Sequence, residues 1–279
     1  MLSYLHSFHA GNFADVLKHL ISSQILHYLT QKPKPLFYLD THSGSGGFQL
    51  LGDEAQKNRE FLNGIGKLWE VKSPLPAAVQ DYVSLIQTFN TEGELKLYPG
   101  SPWFAQTLLR EQDRANLFEL HPREYQNCQT NFGKDRRFTV FNKDGFHACI
   151  SQLPPKEKRG YILMDPPYEV KGDYDTAVNT LIKAHKKFAT GTYALWYPVV
   201  ERSRIDRMEK LFKDSGIRNI QLFELGIARD NEKGMTSSGM IVINPPWTLQ
   251  QNMQETLPFL ASCLAGKNGS FRVEQLVNE

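Results

Sequence analysis

The sequence is poor in the features that mark secreted, zinc-binding and membrane proteins. Its three cysteines, Cys128, Cys149 and Cys263, stand far apart without a Cys-x-x-Cys pair, which argues against a disulfide framework and a zinc site. The first residues lack the charged start and long apolar stretch of a signal peptide. No run approaches the roughly 20 apolar residues of a membrane span. We therefore expect a cytoplasmic protein that uses neither a membrane nor a metal ion.

An excess of charge of one sign is also missing. The net charge is +2 and the isoelectric point is about 8.3, which permits a nucleic acid as partner without indicating one. With 279 residues, of which 41% are hydrophobic, the chain is long enough for one large domain and an insertion. We expect a monomer.

Most of the chain alternates between short apolar strands and helices. Residues 13–31 are predicted to form an amphipathic helix, with Val16, Leu17 and Leu20 on its apolar face. Helices are also predicted after the second to fifth of the strands, and this alternation favours a parallel, doubly wound α/β sheet. Seven strands are predicted, at residues 36–40, 115–120, 138–141, 161–164, 193–197, 219–225 and 239–243.

The last two predicted strands are joined only by a loop, residues 226–238, so we expect them to pair antiparallel. This is the arrangement of class I methyltransferases that use S-adenosylmethionine: a Rossmann-like, mainly parallel seven-stranded sheet whose last strand is antiparallel. Residues 48–98 are predicted to be helical and polar, and we interpret them as a small inserted helical subdomain. The core domain would then comprise residues 1–47 and 99–279.

The first predicted strand ends at Asp40 and runs into a glycine-rich loop that contains His42 and Gly44. Glycines allow a ligand to approach the backbone closely, and ligands of such sheets bind beyond the carboxyl ends of the strands. The loop alone is a weak signal, because glycine turns are common and this one matches neither G-x-G-x-x-G nor a phosphate-binding loop.

Acidic residues follow the next three strands as well. Glu119 could accept hydrogen bonds from a ribose diol or be a solvated acid, and Asp144-Gly145 could contact adenine or form a turn and helix cap. Asp165 follows the fourth strand. Clustered carboxylates repel one another, and a cationic ligand would offset that cost. S-adenosylmethionine combines a sulfonium, a ribose diol and an adenine, and we predict it as the cofactor.

Asp165-Pro166-Pro167-Tyr168 is the most specific of these segments. Proline fixes φ and donates no backbone hydrogen bond, so a carbonyl in this stretch is free to accept one from a ligand. The Asp165 carboxylate is a second acceptor and Tyr168 supplies a flat face. Two acceptors and a ring suit a planar amine such as the exocyclic nitrogen of adenine, whereas the plain alternative is a proline turn after a strand.

Asn244-Pro245-Pro246-Trp247 has the same pattern and also follows a predicted strand. If that strand is antiparallel, its carboxyl end lies at the opposite edge of the sheet, so we assign Asn244 a structural role. The preceding loop, residues 234–239, would then lie at the ligand-binding edge.

Together, the motifs of the chain resemble those of the ribosomal RNA large subunit methyltransferase J family, and the similarity runs nearly end to end. The tetrapeptide at residue 165 alone would also fit DNA adenine and protein glutamine methyltransferases. The motifs that carry the resemblance lie at residues 7–12, 38–44, 98–102, 119–122, 165–168, 194–198 and 239–247.

The resemblance implies methylation of the exocyclic N6 of a single adenine in 23S rRNA. It implies that residues 1–31 border the substrate, through Tyr4 and His6. It also implies a set of residues at the cofactor or its methyl-transfer site: Lys18, His19, His42, Ser101, Glu119, Asp144, Gly145 and Asp165.

Asp165, Pro166 and Tyr168 are the predicted catalytic residues. A base inside a helix is out of reach, so the target adenine must be unstacked. We expect Tyr168 to stack on it while Asp165 and the Pro166 carbonyl accept hydrogen bonds from its amine. The alternatives are methylation of DNA or of a protein amide, and a non-catalytic RNA-binding assembly factor on the same fold.

Overall fold

The computed structural model describes residues 5–279, and an eight-stranded sheet forms the centre of this range. A separate two-stranded ribbon, β2 with β3, pairs antiparallel. The strands are β1 (Phe37–Asp40), β2 (Gly47–Gln49), β3 (Leu97–Pro99), β4 (Arg114–Phe118), β5 (Phe138–Phe141), β6 (Gly160–Met164), β7 (Thr192–Val199), β8 (Ile220–Gly226), β9 (Ser237–Ile243) and β10 (Ser270–Val277).

Helices pack on both faces of the large sheet, each with an apolar face on one of two buried clusters. The helices are α1 (Phe13–Thr30), α2 (Asp53–Asn58), α3 (Ile65–Trp69), α4 (Ala77–Gln87), α5 (Ser101–Leu108), α6 (Pro122–Phe132), α7 (Gly145–Ser151), α8 (Asp173–Lys187), α9 (Arg202–Asp214) and α10 (Leu249–Ala265).

The strand order is β10-β8-β9-β7-β6-β1-β4-β5. The five strands β5, β4, β1, β6 and β7 are parallel, and β9 lies antiparallel between β7 and β8. The predicted class I arrangement is therefore confirmed. After β1, the strands β4 and β5 are added on one side of it. The strands β6 and β7 are then added on its other side. The switch point, where ligands bind in such sheets, lies between β1 and β6.

The eighth strand, β10, was not predicted, and the expected count of seven is wrong by one. It pairs antiparallel with β8 at the border of the sheet. Its residues are exposed or half-buried, because an edge strand covers little of the core. The polar residues Arg272, Glu274 and Gln275 therefore break up the apolar pattern from which the other strands were recognised.

The helix α1 is buried more completely than an amphipathic helix at a surface would be. Val16 and Leu17 are fully buried as expected, but the polar Asp15, Lys18 and His19 are only 1 to 4% exposed. The Asn12 side chain caps the helix by accepting the backbone N–H groups of its first turn. In the first half of α1 the polar residues thus face the interior of the protein, whereas His27 in its last turn is exposed.

The segment 48–98 contains α2, α3 and α4 between the two strands of the small ribbon. Its Tyr82 and Val79 belong to the same apolar cluster as α1. The Tyr82 hydroxyl lies 2.8 Å from that of Tyr98, which in turn lies 2.7 Å from His19 Nδ1. The division of the chain into a core and an inserted subdomain stays a prediction.

Within the described range, no helix is long and apolar enough to cross a membrane. No group of three or more His, Cys, Asp or Glu side chains in residues 5–279 is arranged to hold a metal ion. The three cysteines are free thiols.

Candidate active site

A cavity of about 420 Å³ opens at the carboxyl edge of the parallel strands. It lies at the switch point, between α1 and the loops that follow β1, β4, β5 and β6, and its volume is in the range of ligand pockets. The structure brings most of the predicted site residues to its wall: His6, Lys18, His19, His42, Gly44, Ser101, Glu119, Asp144, Gly145, Asp165 and Pro166.

Asp40 is fully buried and, within the described part of the chain, does not belong to the cavity wall. It accepts hydrogen bonds from the Ser101 hydroxyl at 2.6 Å and the Tyr38 hydroxyl at 2.9 Å. Burial raises its pKa to about 6. Its other oxygen accepts the His42 backbone N–H at 3.3 Å, so Asp40 is linked to the cavity through Ser101 and His42. Tyr4 lies outside the described residues.

Tyr168 borders the cavity without lining it, as far as residues 5–279 define the wall. Its hydroxyl donates a hydrogen bond to the Trp196 carbonyl at 2.6 Å, and its ring centroid lies 4.4 Å from that of Tyr174. The neighbouring Pro167 and Trp196 do line the cavity. The stacking role of Tyr168 stays a prediction.

Lys18 joins the helix α1 to Asp165, the acidic residue that follows β6. Its Nζ lies 2.5 Å from Asp165 Oδ2 and 2.8 Å from Asp15 Oδ1. Burial lowers the pKa of Lys18, but the two carboxylates raise it further, so the ammonium stays charged. The other oxygen of Asp165, Oδ1, has no hydrogen-bond partner within residues 5–279. Lys18 thus fixes the carboxylate and leaves one acceptor for a ligand.

Asp15 belongs to this network although no sequence motif pointed to it. Its Oδ2 accepts the Gly11 backbone N–H at 2.9 Å and lies 2.8 Å from His6 Nε2. Burial would raise the pKa of Asp15, but the charges of His6 and Lys18 hold it well below its usual range. The available signal was the spacing of Asp15 and Lys18, which places opposite charges one helical turn apart.

Glu119 connects the loops that follow β1 and β4. Its two carboxylate oxygens accept the backbone N–H groups of Gly44 at 2.9 Å and His121 at 2.7 Å. Burial raises the pKa of Glu119 above its ordinary value. Each oxygen keeps a second lone pair, so the carboxylate can still accept hydrogen bonds from a diol in the cavity.

Gly145 allows α7 to begin directly against the loop that follows β1. A Cβ at this position would lie 1.8 Å from the Thr41 carbonyl oxygen, so a larger residue would push the two apart. Asp144 caps α7 by accepting the Phe146 N–H at 2.8 Å. Next to this junction, burial lowers the pKa of His42 to about 4, so its imidazole is neutral at physiological pH.

The apolar side of the cavity contains Trp196, Pro198 and Met235. They lie in segments that the sequence analysis named, but none of them was predicted as a site residue. Trp196 and Pro198 belong to the carboxyl half of β7, and Met235 to the loop that connects β8 and β9. That loop was expected at this edge, and Met235 places it there. An apolar wall opposite carboxylates suits a ligand with a planar ring and polar edges.

Strand order, acidic strand ends and a cavity at the switch point together define a class I methyltransferase. The model of the family "Ribosomal RNA large subunit methyltransferase D, RlmJ" matches residues 33–277, and the chain belongs to this family.

Two proteins named Ribosomal RNA large subunit methyltransferase J are each 50% identical to this chain. For that of Escherichia coli K12, the alignment covers 95% of this chain and 94% of the relative. For that of Haemophilus influenzae, it covers 100% of both. The crystal structure of a Legionella pneumophila protein superposes with a TM-score of 0.90 at 37% identity, over 96% of this chain and 98% of that one.

The protein is thus a methyltransferase that uses S-adenosylmethionine, and the side chains of the cavity fit this cofactor. The carboxylates of Glu119, Asp144 and Asp165 face a space that would take a cationic ligand. Gly145 lets the loop that follows β1 and the start of α7 meet closely at the cavity wall. The paired acceptors of Glu119 suit the ribose diol, and Lys18 and His19 close the side formed by α1.

Proposed function

We propose that the protein transfers the methyl group of S-adenosylmethionine to N6 of a single adenine in 23S rRNA. The names of both curated relatives refer to the RNA of the large ribosomal subunit. An amine is proposed as the group that is methylated because the cavity wall contains a hydrogen-bond acceptor, the Asp165 carboxylate, that is held in a fixed position. Asp165 is held by Lys18 through Oδ2, and Oδ1 and the Pro166 carbonyl remain to accept both protons of a planar amine.

In this arrangement the amine donates to Asp165 Oδ1 and to the Pro166 carbonyl oxygen, and its lone pair points along the remaining direction. The bound cofactor supplies an electrophilic methyl group. The nitrogen gains positive charge as it attacks, so acceptors that strengthen in the transition state accelerate the reaction. The methylated nitrogen then gives one proton to Asp165 or to water and becomes a neutral amine. Lys18 keeps the carboxylate from rotating, because its own position is fixed by Asp15.

The adenine must be unstacked from its helix to enter the cavity. Stacking on an aromatic face is worth about 1–3 kcal/mol per base. Tyr168 is the aromatic residue of the tetrapeptide at residues 165–168 and would supply that face. The hydrogen bond from its hydroxyl to Trp196 holds the ring at the cavity border. His6, on the side formed by the N-terminal segment, faces the same space.

Methyl transfer from labelled S-adenosylmethionine to purified 23S rRNA, genomic DNA and total protein, compared side by side, tests the proposal. We expect label in 23S rRNA alone, recovered as N6-methyladenosine after digestion to nucleosides. A strain that lacks the gene should lose one such nucleoside from its 23S rRNA. Label confined to DNA or protein, or found on another atom of the base, would refute the proposal.

A further inference from the structure

Three loops at the edge that bears the cavity each present a lysine to solvent. Lys143 precedes α7, Lys171 precedes α8, and Lys233 lies between β8 and β9. All three are exposed, and none forms an ion pair with the part of the chain that the structure describes. Each is within two residues of a cavity-lining side chain, so all three cations stand at the mouth of the site.

Three of the acids in the same loops make contacts within the protein. Asp230 Oδ2 lies 2.7 Å from Arg202 Nε. Glu232 accepts a backbone N–H of its own loop at 3.0 Å, and Asp144 accepts one of its own helix at 2.8 Å. None of the three lysines has an ion pair within residues 5–279, and Lys143 Nζ lies 5.8 Å from the centroid of the Phe141 ring. Their ammonium groups are therefore available to a polyanionic ligand.

The three lysines are spread along the edge of the sheet. Five strand spacings separate β5, which leads to Lys143, from β9, which follows Lys233. At about 4.8 Å per spacing this is roughly 24 Å. Lys171 follows β6, between the two. The cations thus lie on both sides of a cavity that can take one base. This arrangement matches a single nucleic acid strand that inserts one base into the cavity and has phosphates on either side of it.

We propose that Lys143, Lys171 and Lys233 bind phosphates of the RNA strand on both sides of the target adenosine. The inference rests on the proposed function and adds to it the surface that holds the substrate. The bound segment is single-stranded, since the adenosine must leave its helix to reach Asp165. Phosphate contacts fix register and orientation without reading sequence. The lysines therefore increase affinity for RNA and leave the choice of base to the cavity.

The test compares two triple variants of the whole protein with equal loss of charge. In the first, Lys143, Lys171 and Lys233 are replaced by Gln. In the control, Gln replaces three lysines that are also exposed and without an ion pair among residues 5–279. They stand at the opposite edge of the sheet, after α6, after α7 and in the last turn of α8: Lys134, Lys156 and Lys186.

The readout is the dissociation constant for a 23S rRNA fragment that contains the target, measured between 50 and 200 mM salt. Each phosphate contact on a single strand contributes about 0.7 to the slope of log affinity against log salt. Loss of three contacts should therefore lower the slope by about 2. Over this fourfold rise in salt, the wild type should lose roughly 20-fold more affinity than the first variant. The control should keep the wild-type slope.

An equal change of slope in both triple variants would show that only total charge matters and would overturn the proposal, as would an unchanged slope in the first. A slope loss that appears with single-stranded DNA but not with RNA would overturn the assignment to RNA. The affinity for S-adenosylmethionine, which should be unchanged, confirms that each variant is folded. Because the measurement follows binding, it can succeed even if the wild type methylates another position, and the two proposals can fail separately.

Discussion

Two tetrapeptides of one pattern, at Asp165 and at Asn244, lie in opposite parts of this molecule. Both follow a buried strand and both contain a residue in the left-handed region, Tyr168 at φ 53° and Asn244 at φ 51°. The strand β6 is parallel to β1, whereas β9 is antiparallel to β7. The first tetrapeptide is therefore at the edge with the cavity and the second at the edge without it.

The two acceptor side chains are used differently. The Asn244 amide donates to the carbonyls of Ala189 and Gly191, both at 2.8 Å, so it joins loops of the fold. Asp165 has Lys18 as its one partner among residues 5–279 and faces the cavity with its second oxygen. The direction of the preceding strand, which the motif does not encode, decides whether such a tetrapeptide lies at the cavity or joins loops of the fold.

The largest effect on kcat is expected when the acceptor side chain of each tetrapeptide is replaced by that of the other. We expect Asp165→Asn to lower kcat about 10²–10³-fold, the loss typical of a removed transition-state acceptor. The fold should survive, because Lys18 keeps its pair with Asp15. Asn244→Asp, the control, should keep its kcat per folded molecule. Single-turnover methyl transfer and thermal unfolding measure both, and a normal kcat in Asp165→Asn would remove the assignment.

The buried carboxyl group of Asp40, at the end of β1, should lower the free energy of unfolding when it is ionised. Its pKa is raised from 3.8 to about 6 in the folded state, so the folded protein holds this proton more tightly than the unfolded chain. The free energy of unfolding should therefore fall as pH rises from about 4 to about 6, by roughly 3 kcal/mol for a shift of about two units. Above pH 6 the contribution is constant.

Asp40→Asn keeps an acceptor for Ser101 and removes the titration. Urea unfolding of wild type and variant at pH 4, 5, 6 and 7 should show a difference in free energy that changes by that amount up to pH 6 and then stays level. A difference that is the same at all four pH values would contradict the assignment.

At the other edge, Asn244→Ala should lower the free energy of unfolding by about 2 kcal/mol. It removes two hydrogen bonds and places a Cβ-bearing residue without a polar side chain at positive φ. Asn244→Gly, which tolerates this φ, should lose less. Denaturant unfolding measures both, and methyl transfer per folded molecule should be that of the wild type. A loss of kcat in either variant would mean that this edge takes part in the chemistry.

The smallest effect is expected for Trp247→Ala. Trp247 is 76% exposed, and surface substitutions of this kind usually change stability by less than about 0.5 kcal/mol. Thermal unfolding and the KM for RNA should both be close to those of the wild type. A clear rise in KM would show that the second tetrapeptide contacts the substrate and that both edges of the sheet take part in binding it.

Local patterns were enough to predict the parallel strands, the antiparallel β9 and the acids at the strand ends, because each depends on a short apolar run and the residue after it. The network around Lys18 was not predictable in this way. Lys18 and Asp165 are 147 residues apart in the chain, and a lysine early in a helix is ordinarily solvated. The burial of Asp15 and Lys18 follows from the packing of α1 against the sheet, and no local pattern encodes it.

The unpredicted strand β10 has a consequence for the behaviour of the protein in a crowded solution. All seven residues of β8 are buried, and without β10 this strand would offer a row of unpaired backbone groups beside apolar side chains. Such borders recruit further strands and seed aggregates. The ion pair of Arg272 with Glu274 on β10 gives the sheet a charged border instead, so the same polar residues that hid this strand from prediction discourage copies of the protein from joining edge to edge.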